Sequence, residues 1–209
     1  MASPAHVSRR HEGTQRPTVV AIGGSLRTGS STEQILRLAL RRLDQLGADT
    51  ELYSGQALVL PPYEPGTPLT AHARQLLTSV RRADAIILGS PGYHGSMSGL
   101  VKNVIDYLEE LRNDDPPYLD GKPVACVTTA NGWQAAVNTL TALRVTVHAL
   151  RGWPTPYGVA LNVAASGVQI AAAGDSSVGE SVEIMVGQLL QFRNIPTVSK
   201  HLTVAAAGA

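Results

Sequence analysis

Short apolar runs alternate with longer amphipathic stretches along most of this chain, and that alternation restricts the possible folds more than any other feature. The runs at 18–22, 85–88 and 124–128 are nearly uninterrupted, which is typical of parallel strands buried on both faces. The stretches between them, such as 31–46, place apolar residues at helical spacing. Strands that alternate with helices predict a parallel sheet covered by helices on both faces.

Two weaker strand candidates, 50–53 and 157–161, bring the number of strands to five. Right-handed crossovers leave few arrangements of such strands, and five strands suit the order 2-1-3-4-5. We therefore expect an α/β protein with a flavodoxin-like, doubly wound, five-stranded parallel sheet. Residues 17–195 are expected to form this one domain, between a disordered N-terminal tail (1–16) and a C-terminal tail (196–209).

Composition excludes several classes of function. The 209 residues include 17 basic and 16 acidic side chains, for a net charge of +1, without the basic cluster expected of a nucleic-acid-binding protein. No apolar run reaches the ~18–20 residues that cross a bilayer, and residues 1–16 lack the apolar stretch of a signal peptide. These features predict a cytoplasmic protein without a membrane or nucleic-acid partner.

The single cysteine, Cys126, excludes a cysteine-rich metal site, and we expect no bound metal. Because Cys126 lies inside an apolar run, a buried structural thiol is favoured over a reactive one.

A turn rich in glycine and hydroxyl side chains, from Gly23 to Thr32, follows the first strand candidate. Hydroxyls and free N–H groups at a helix N-terminus are good donors to a phosphate, and Arg27 can add charge-assisted hydrogen bonds. The P-loop lysine pattern and the dinucleotide glycine pattern are both absent, which favours a monophosphate. The alternative is a polar loop in which Ser30 or Ser31 simply caps the next helix.

Two more unusual turns follow the strand candidates at 85–88 and 124–128, where ligands of open parallel sheets bind. The turn at 89–99 can present backbone groups to the edge of a flat heteroaromatic ring. Its alternative is a structured turn with Tyr93 packed on the surface and His94 solvated. In the turn at 128–134, Trp133 either covers a ring face or anchors the loop to the helix below.

The three turns together resemble the NAD(P)H-dependent FMN reductase family of flavodoxin-like proteins. The marks of that family are G-S-x-R-x-x-S after the first strand and P-x-Y-x-G-S…G-x-x-K-N-x-x-D after the third. In this chain the first mark corresponds to residues 24–30. The second corresponds to residues 91–96 and continues with Gly99, Lys102, Asn103 and Asp106. The resemblance spans 18–161.

This chain departs from the family at two places. The family often has Glu before the tyrosine and Asn after it, where this chain has Gly92 and His94. The family's third loop often carries paired glycines, where this chain has Asn131-Gly132-Trp133.

The resemblance implies FMN as cofactor, with a hydride passing from NADPH or NADH to flavin N5 and the electrons passing on to a second acceptor. Free FMN for a partner flavin-dependent monooxygenase, a quinone, an azo dye and a metal oxyanion are all compatible acceptors. No catalytic side chain is assigned. Two alternatives stay open: a specialised flavoenzyme with a dedicated small-molecule substrate in a biosynthetic pathway, and a flavodoxin-type electron carrier.

The resemblance also assigns roles to individual residues. The FMN phosphate would be held by Ser25, Arg27, Ser30 and Thr32. The flavin ring would be lined by Pro91, Gly92, Tyr93, His94, Gly95 and Ser96, and its other side closed by Thr129, Asn131, Gly132 and Trp133. A homo-oligomer is implied as well, with the helix at 100–111 as the candidate contact.

Overall fold

A computed structural model describes residues 16–166 and 177–193. The strands are β1 (Thr18–Gly23), β2 (Asp49–Tyr53), β3 (Ala85–Tyr93), β4 (Ser96–Met97), β5 (Pro123–Ala130), β6 (Trp153–Pro154) and β7 (Val159–Asn162). The helices are α1 (Ser31–Gln45), α2 (Ala71–Arg82), α3 (Gly99–Asp106), α4 (Trp133–Ala149), α5 (Val163–Ser166) and α6 (Ser177–Arg193). Two 3-10 helices, at Gly55–Leu58 and Tyr107–Leu111, complete the described elements.

The parallel strands stand in the order β2-β1-β3-β5, and β6 and β7 share the fifth position. The predicted fold and strand order are therefore confirmed, with a break in the fifth strand. Within the break, Arg144 donates to the carbonyl oxygens of Thr155 and Pro156, at 3.3 and 2.6 Å. Pro156 has no N–H group to offer to a strand ladder, so the pairing with β5 is interrupted there.

The central strands are buried on both faces because helices cover the two sides of the sheet. On one side, Val20 and Leu88 face a core shared with α2, α3 and α4. On the other side, Val19 and Ile87 face a core shared with α1 and α6. Two buried faces account for the nearly continuous apolar runs of the sequence.

Residues 89–99 are not one long turn, as the sequence analysis expected. β3 continues through Tyr93, and the chain returns as β4, with Gly92 opposite Met97 and Tyr93 opposite Ser96. The two loop residues, His94 and Gly95, have φ angles of 51° and 84°, as a type I′ hairpin turn requires. The glycines and serines suggested a turn, but most of them lie within strands.

Residues 1–15 of the predicted N-terminal tail and the whole predicted C-terminal tail, 196–209, fall outside the described residues. Arg16, at the end of the expected N-terminal tail, donates to the carbonyl oxygens of Gly47 and Ala48 at 3.1 and 3.2 Å. It also forms ion pairs with Asp44 and Asp49. None of the helices in the described ranges is long and apolar enough to span a bilayer.

The positive φ angle at His94 gives a testable expectation for the hairpin. Asn tolerates this conformation better than other non-glycine residues, and β-branched side chains tolerate it worst. His94→Val should therefore lower the free energy of unfolding by about 1–2 kcal/mol, whereas His94→Asn should leave it equal or higher. Urea denaturation of the three proteins measures the difference, and equal midpoints for Val and Asn would contradict the turn geometry.

Candidate functional site

Two glycines bring β1 and β3 together at the edge where the parallel strands end, which we call the carboxyl edge. A Cβ atom on Gly23 would lie 1.9 Å from the carbonyl oxygen of Gly89, and a Cβ on Gly89 would lie 3.0 Å from side-chain atoms of Thr32 and Leu36. The N–H of Gly24 donates to the same Gly89 oxygen at 3.2 Å. The N-terminus of α1 can therefore lie directly over the point where the strand order reverses.

The loop between β1 and α1 has unused hydrogen-bond donors. Ser30 is the N-cap of α1 and accepts from the N–H of Glu33 at 3.3 Å, so the capping alternative is correct for this residue. Within the described ranges, the backbone N–H groups of Thr28, Ser31 and Thr32 donate to no protein acceptor. The exposed guanidinium of Arg27 likewise has no partner there. This donor set fits a phosphate dianion supplied by a ligand.

Glu33 is the acidic side chain nearest to this loop, and it is buried. Its carboxylate accepts from the N–H of Gly29 at 3.2 Å and from Nε of Arg37 at 2.8 Å. Because Arg37 pairs with the charge and Gly29 holds one oxygen, Glu33 fixes the shape of the loop.

A buried hydrogen bond joins the first loop to the third. The hydroxyl oxygens of Thr32 and Thr129 are 2.7 Å apart, and both side chains are buried. Pro91 stands opposite Thr129 in the β3–β5 ladder, so the three loops meet at one place. Thr32 and Thr129 thus lie beneath the surface, where they set the positions of the loops.

The hairpin β3–β4 packs against the start of α4, and Gly92 permits this. A Cβ atom at Gly92 would lie 2.7 Å from Oγ1 of Thr139 and 3.1 Å from the carbonyl oxygen of Ala135. Thr139 also donates to the carbonyl oxygen of Ser96 at 3.1 Å. A glutamate, as in many family members, would not fit at position 92 without moving α4.

Each of the three loops exposes one large apolar side chain. Leu26, Tyr93 and Trp133 are 54%, 54% and 58% exposed. This exposure argues against Trp133 as an anchor that packs on the helix below. Leu26 had no predicted role, although an apolar residue within a polar loop was a signal that the sequence offered.

The remaining residues assigned to the site differ in accessibility. Arg27, His94, Ser96 and Asn131 are exposed, and Ser25, Pro91, Gly92, Gly95 and Gly132 are partly exposed. All of them lie on the three loops or the hairpin, so the structure brings the assigned residues to one edge of the sheet.

In the second half of the motif after β3, Asn103 has a structural role. Asn103 accepts from the N–H of Tyr63 at 2.9 Å and donates to the carbonyl oxygens of Leu60 and Pro61. The hydroxyl of Tyr63 donates to Glu110 at 2.8 Å, and burial together with Glu110 raises the pKa of Tyr63 to about 12. Asn103 therefore fastens the proline-rich segment after β2 to α3.

The described residues include neither a reactive cysteine nor a cluster of metal-binding side chains. Cys126 is buried, and burial raises the pKa of its thiol to about 12, so it is protonated at neutral pH. No cluster of three His, Cys, Asp or Glu side chains that could hold a metal ion occurs among the described residues.

Fold and site together define a flavodoxin-like protein whose carboxyl edge exposes free backbone N–H groups, the guanidinium of Arg27 and three large apolar side chains. The sequence matches the family model of NADPH-dependent FMN reductases over residues 17–166. The chain therefore belongs to that family: it is an oxidoreductase that uses FMN and NAD(P)H.

Relatives with known names agree with this assignment. The chain is 30% identical over 145 residues to an FMN-dependent NADPH-azoreductase of Staphylococcus haemolyticus, covering 66% of this chain and 73% of that protein. It is 32% identical over 89 residues to an NADPH azoreductase of a Bacillus species, covering 43% of this chain and 47% of that protein.

Solved structures share the fold. An oxidoreductase from Corynebacterium diphtheriae superposes with a TM-score of 0.66 at 19% identity, over 85% of this chain and 96% of that one. The NAD(P)H:(acceptor) oxidoreductase FerB from Paracoccus denitrificans gives a TM-score of 0.63 at 19% identity, over 85% and 95%.

The buried threonine pair gives a second expectation. Thr129→Val keeps the shape of the side chain but leaves the Thr32 hydroxyl buried without a partner, which should cost about 1–3 kcal/mol of unfolding free energy. The variant should also bind FMN more weakly, because the first loop loses its tie to the third. Thr129→Ser, which keeps the hydroxyl, should restore FMN affinity measured by flavin fluorescence. Equal affinities for the Val and Ser variants would contradict a positioning role.

Proposed function

We propose that this protein reduces flat organic acceptors of the azo or quinone class, with NADPH as reductant and FMN as a bound cofactor. The names of two relatives support an azo compound as one such acceptor. The alternative acceptor, free FMN for a partner monooxygenase, would require the flavin to leave the site, whereas the loop donors around Arg27 favour its retention.

The distribution of charge over the two edges of the sheet carries this proposal. The carboxyl-edge segments 23–32, 91–98 and 130–134 contain no acidic residue, and their ionisable side chains are Arg27, His94 and Tyr93. The connections at the opposite edge carry acids and bases together: the acids are Asp84, Asp114, Asp115 and Asp120, and the bases are Arg112, Lys122 and Arg151. Glu33, the next residue after the first of these segments, is acidic but pairs with Arg37 at 2.8 Å. The three segments therefore present no unpaired acid that would repel two phosphate-bearing cofactors.

The same distribution argues against a flavodoxin-type carrier. Such carriers use acidic surfaces to meet basic partner proteins, and here the edge that would hold the flavin has none. A specialised biosynthetic flavoenzyme would need side chains that converge on a dedicated substrate. The exposed Tyr93 and Trp133 instead offer apolar contact that any flat ring can use.

The residues of this chain bind and orient the reactants. FMN, when bound, supplies the two-electron chemistry between NADPH and the acceptor. Arg27, the free N–H groups of Thr28, Ser31 and Thr32, and the hydroxyl of Ser25 would hold its phosphate. The backbone of the hairpin from Pro91 to Ser96 would border its ring. No side-chain acid or base is required, since solvent can supply the protons.

The two acceptor classes differ in the number of NADPH molecules that each acceptor consumes. A quinone takes the hydride equivalent of one NADPH and one proton, and becomes a hydroquinone. Complete cleavage of an azo bond consumes two NADPH and two protons and releases two amines. Product analysis therefore distinguishes the two acceptor classes.

The proposal includes a cytoplasmic location and a homo-oligomer. The C-terminal half of α4, about three turns from Trp133, supports the second point, since Val145 there is 63% exposed. Among the described helices, α4 is therefore a better candidate contact than the helix at 100–111, whose Val101, Val104 and Leu108 are buried in the core.

Anaerobic absorption spectroscopy tests the proposed function. Purified protein should bind FMN, and its visible flavin bands should bleach on addition of NADPH and return when a quinone or azo dye is added. Bands that fail to bleach would favour a carrier. Bleached bands that return with free FMN but with neither acceptor class would favour the monooxygenase-linked reductase.

Arg27 gives the matching binding prediction. Arg27→Ala should weaken FMN binding about tenfold or more, since a charge-assisted hydrogen bond contributes roughly 1.5–3 kcal/mol. Arg41→Ala is the control, because Arg41 is an exposed arginine on the same helix but lies away from its N-terminus. Isothermal titration of the apoprotein with FMN measures both affinities. An Arg27→Ala variant with wild-type affinity would remove this residue from the phosphate site.

A further inference from the structure

Trp133 is the first residue of α4, and 58% of its surface is exposed. Its indole N–H has no hydrogen-bond acceptor in the part of the chain that the structure describes. The N-cap of this helix, Gly132, offers no side chain to cover it. The indole ring of Trp133 is therefore exposed at the carboxyl edge of the sheet.

The close packing at Gly92 places the first turn of α4, which begins with Trp133, beside the hairpin. The carbonyl oxygen of Ala135, in the first turn of α4, lies where a side chain at position 92 would begin, 3.1 Å from its Cβ. Tyr93, the next residue, belongs to the hairpin and is 54% exposed. Two open aromatic side chains thus come from adjoining elements on the acceptor side of the site.

The family resemblance assigns Trp133 to one side of the flavin ring, but the phosphate contacts of the first loop and the ring contacts of the hairpin backbone do not require its indole. We propose that Trp133 is a specificity-determining residue that contacts the electron acceptor and favours flat aromatic acceptors over compact ones. This inference rests on the proposed function. A flat ring gains apolar burial and stacking against an indole, whereas a compact, strongly hydrated anion gains neither.

A kinetic comparison of two acceptors tests the selectivity. 1,4-Naphthoquinone-2-sulfonate is flat, and NADPH with one proton reduces it to the hydroquinone; ferricyanide is compact, and two ions each take one electron per NADPH. The ratio of kcat/KM for the quinone to kcat/KM for ferricyanide should fall about threefold to tenfold in Trp133→Leu.

Trp153 offers a matched control for this comparison. It is 55% exposed, but it lies in β6 at the other end of α4, where its ring packs 5.4 Å from that of Phe192. Trp153→Leu should leave the ratio at its wild-type value. A ratio that falls equally in both variants would indicate a general loss of structure and would overturn the inference.

A binding measurement without turnover tests the contact directly. Because the chain has two tryptophans, each Leu variant has one emitting indole. In FMN-loaded protein without NADPH, anthraquinone-2-sulfonate should quench emission saturably when Trp133 is the emitter. Light absorption by the quinone alone should reduce emission when Trp153 is the emitter.

Three further results would overturn the inference: equal quenching of the two emitters, a tenfold loss of FMN affinity in Trp133→Leu with an unchanged selectivity ratio, or a changed oligomeric state in that variant. The second would make Trp133 a cover for the flavin, and the third a subunit contact. A wild-type protein that reduces neither acceptor would instead contradict the proposed function, while the quenching experiment would still decide on Trp133.

Discussion

The close approach of two backbones at Gly23 and Gly89 is the constraint on which the site depends. With a Cβ on Gly23 only 1.9 Å from the Gly89 oxygen, no other residue fits this place without separating β1 from β3. The same glycines allow α1 to begin directly over the sheet, so that its free N–H groups point to the switch point. The Thr32–Thr129 hydrogen bond then ties this arrangement to the loop after β5.

The two edges of the sheet, at the two ends of its parallel strands, carry different kinds of side chain. Asp84 and Asp120 are among the acids of the connections at one edge, while the loops at the other combine unpaired N–H donors with Arg27 and exposed apolar side chains. Such a division lets anionic cofactors approach one side of the sheet without a basic surface that would attract nucleic acids.

Periodicity predicted the sheet order and the principal helices, because buried parallel strands and amphipathic helices leave strong patterns. The periodicity gave a wrong prediction at 89–99, which was expected to be one long turn. Glycines there allow close packing of β3 instead, Gly89 against α1 and Gly92 against α4. Contacts between distant residues, such as Thr139 with the hairpin, leave no local pattern. The motifs identified the loops of the site, but they did not reveal that Asn103 supports the segment after β2 or that Thr32 and Thr129 bond to each other.

The interruption between β6 and β7 has a consequence for the behaviour of the protein at high concentration. A strand at the side of a sheet exposes unpaired backbone groups, which can template pairing with another molecule. Here that strand is divided, Pro154 and Pro156 remove two donors, and Arg144 occupies the carbonyl oxygens of Thr155 and Pro156. The outermost strand is thereby poorly suited to intermolecular β-sheet growth, so this side of the molecule resists aggregation.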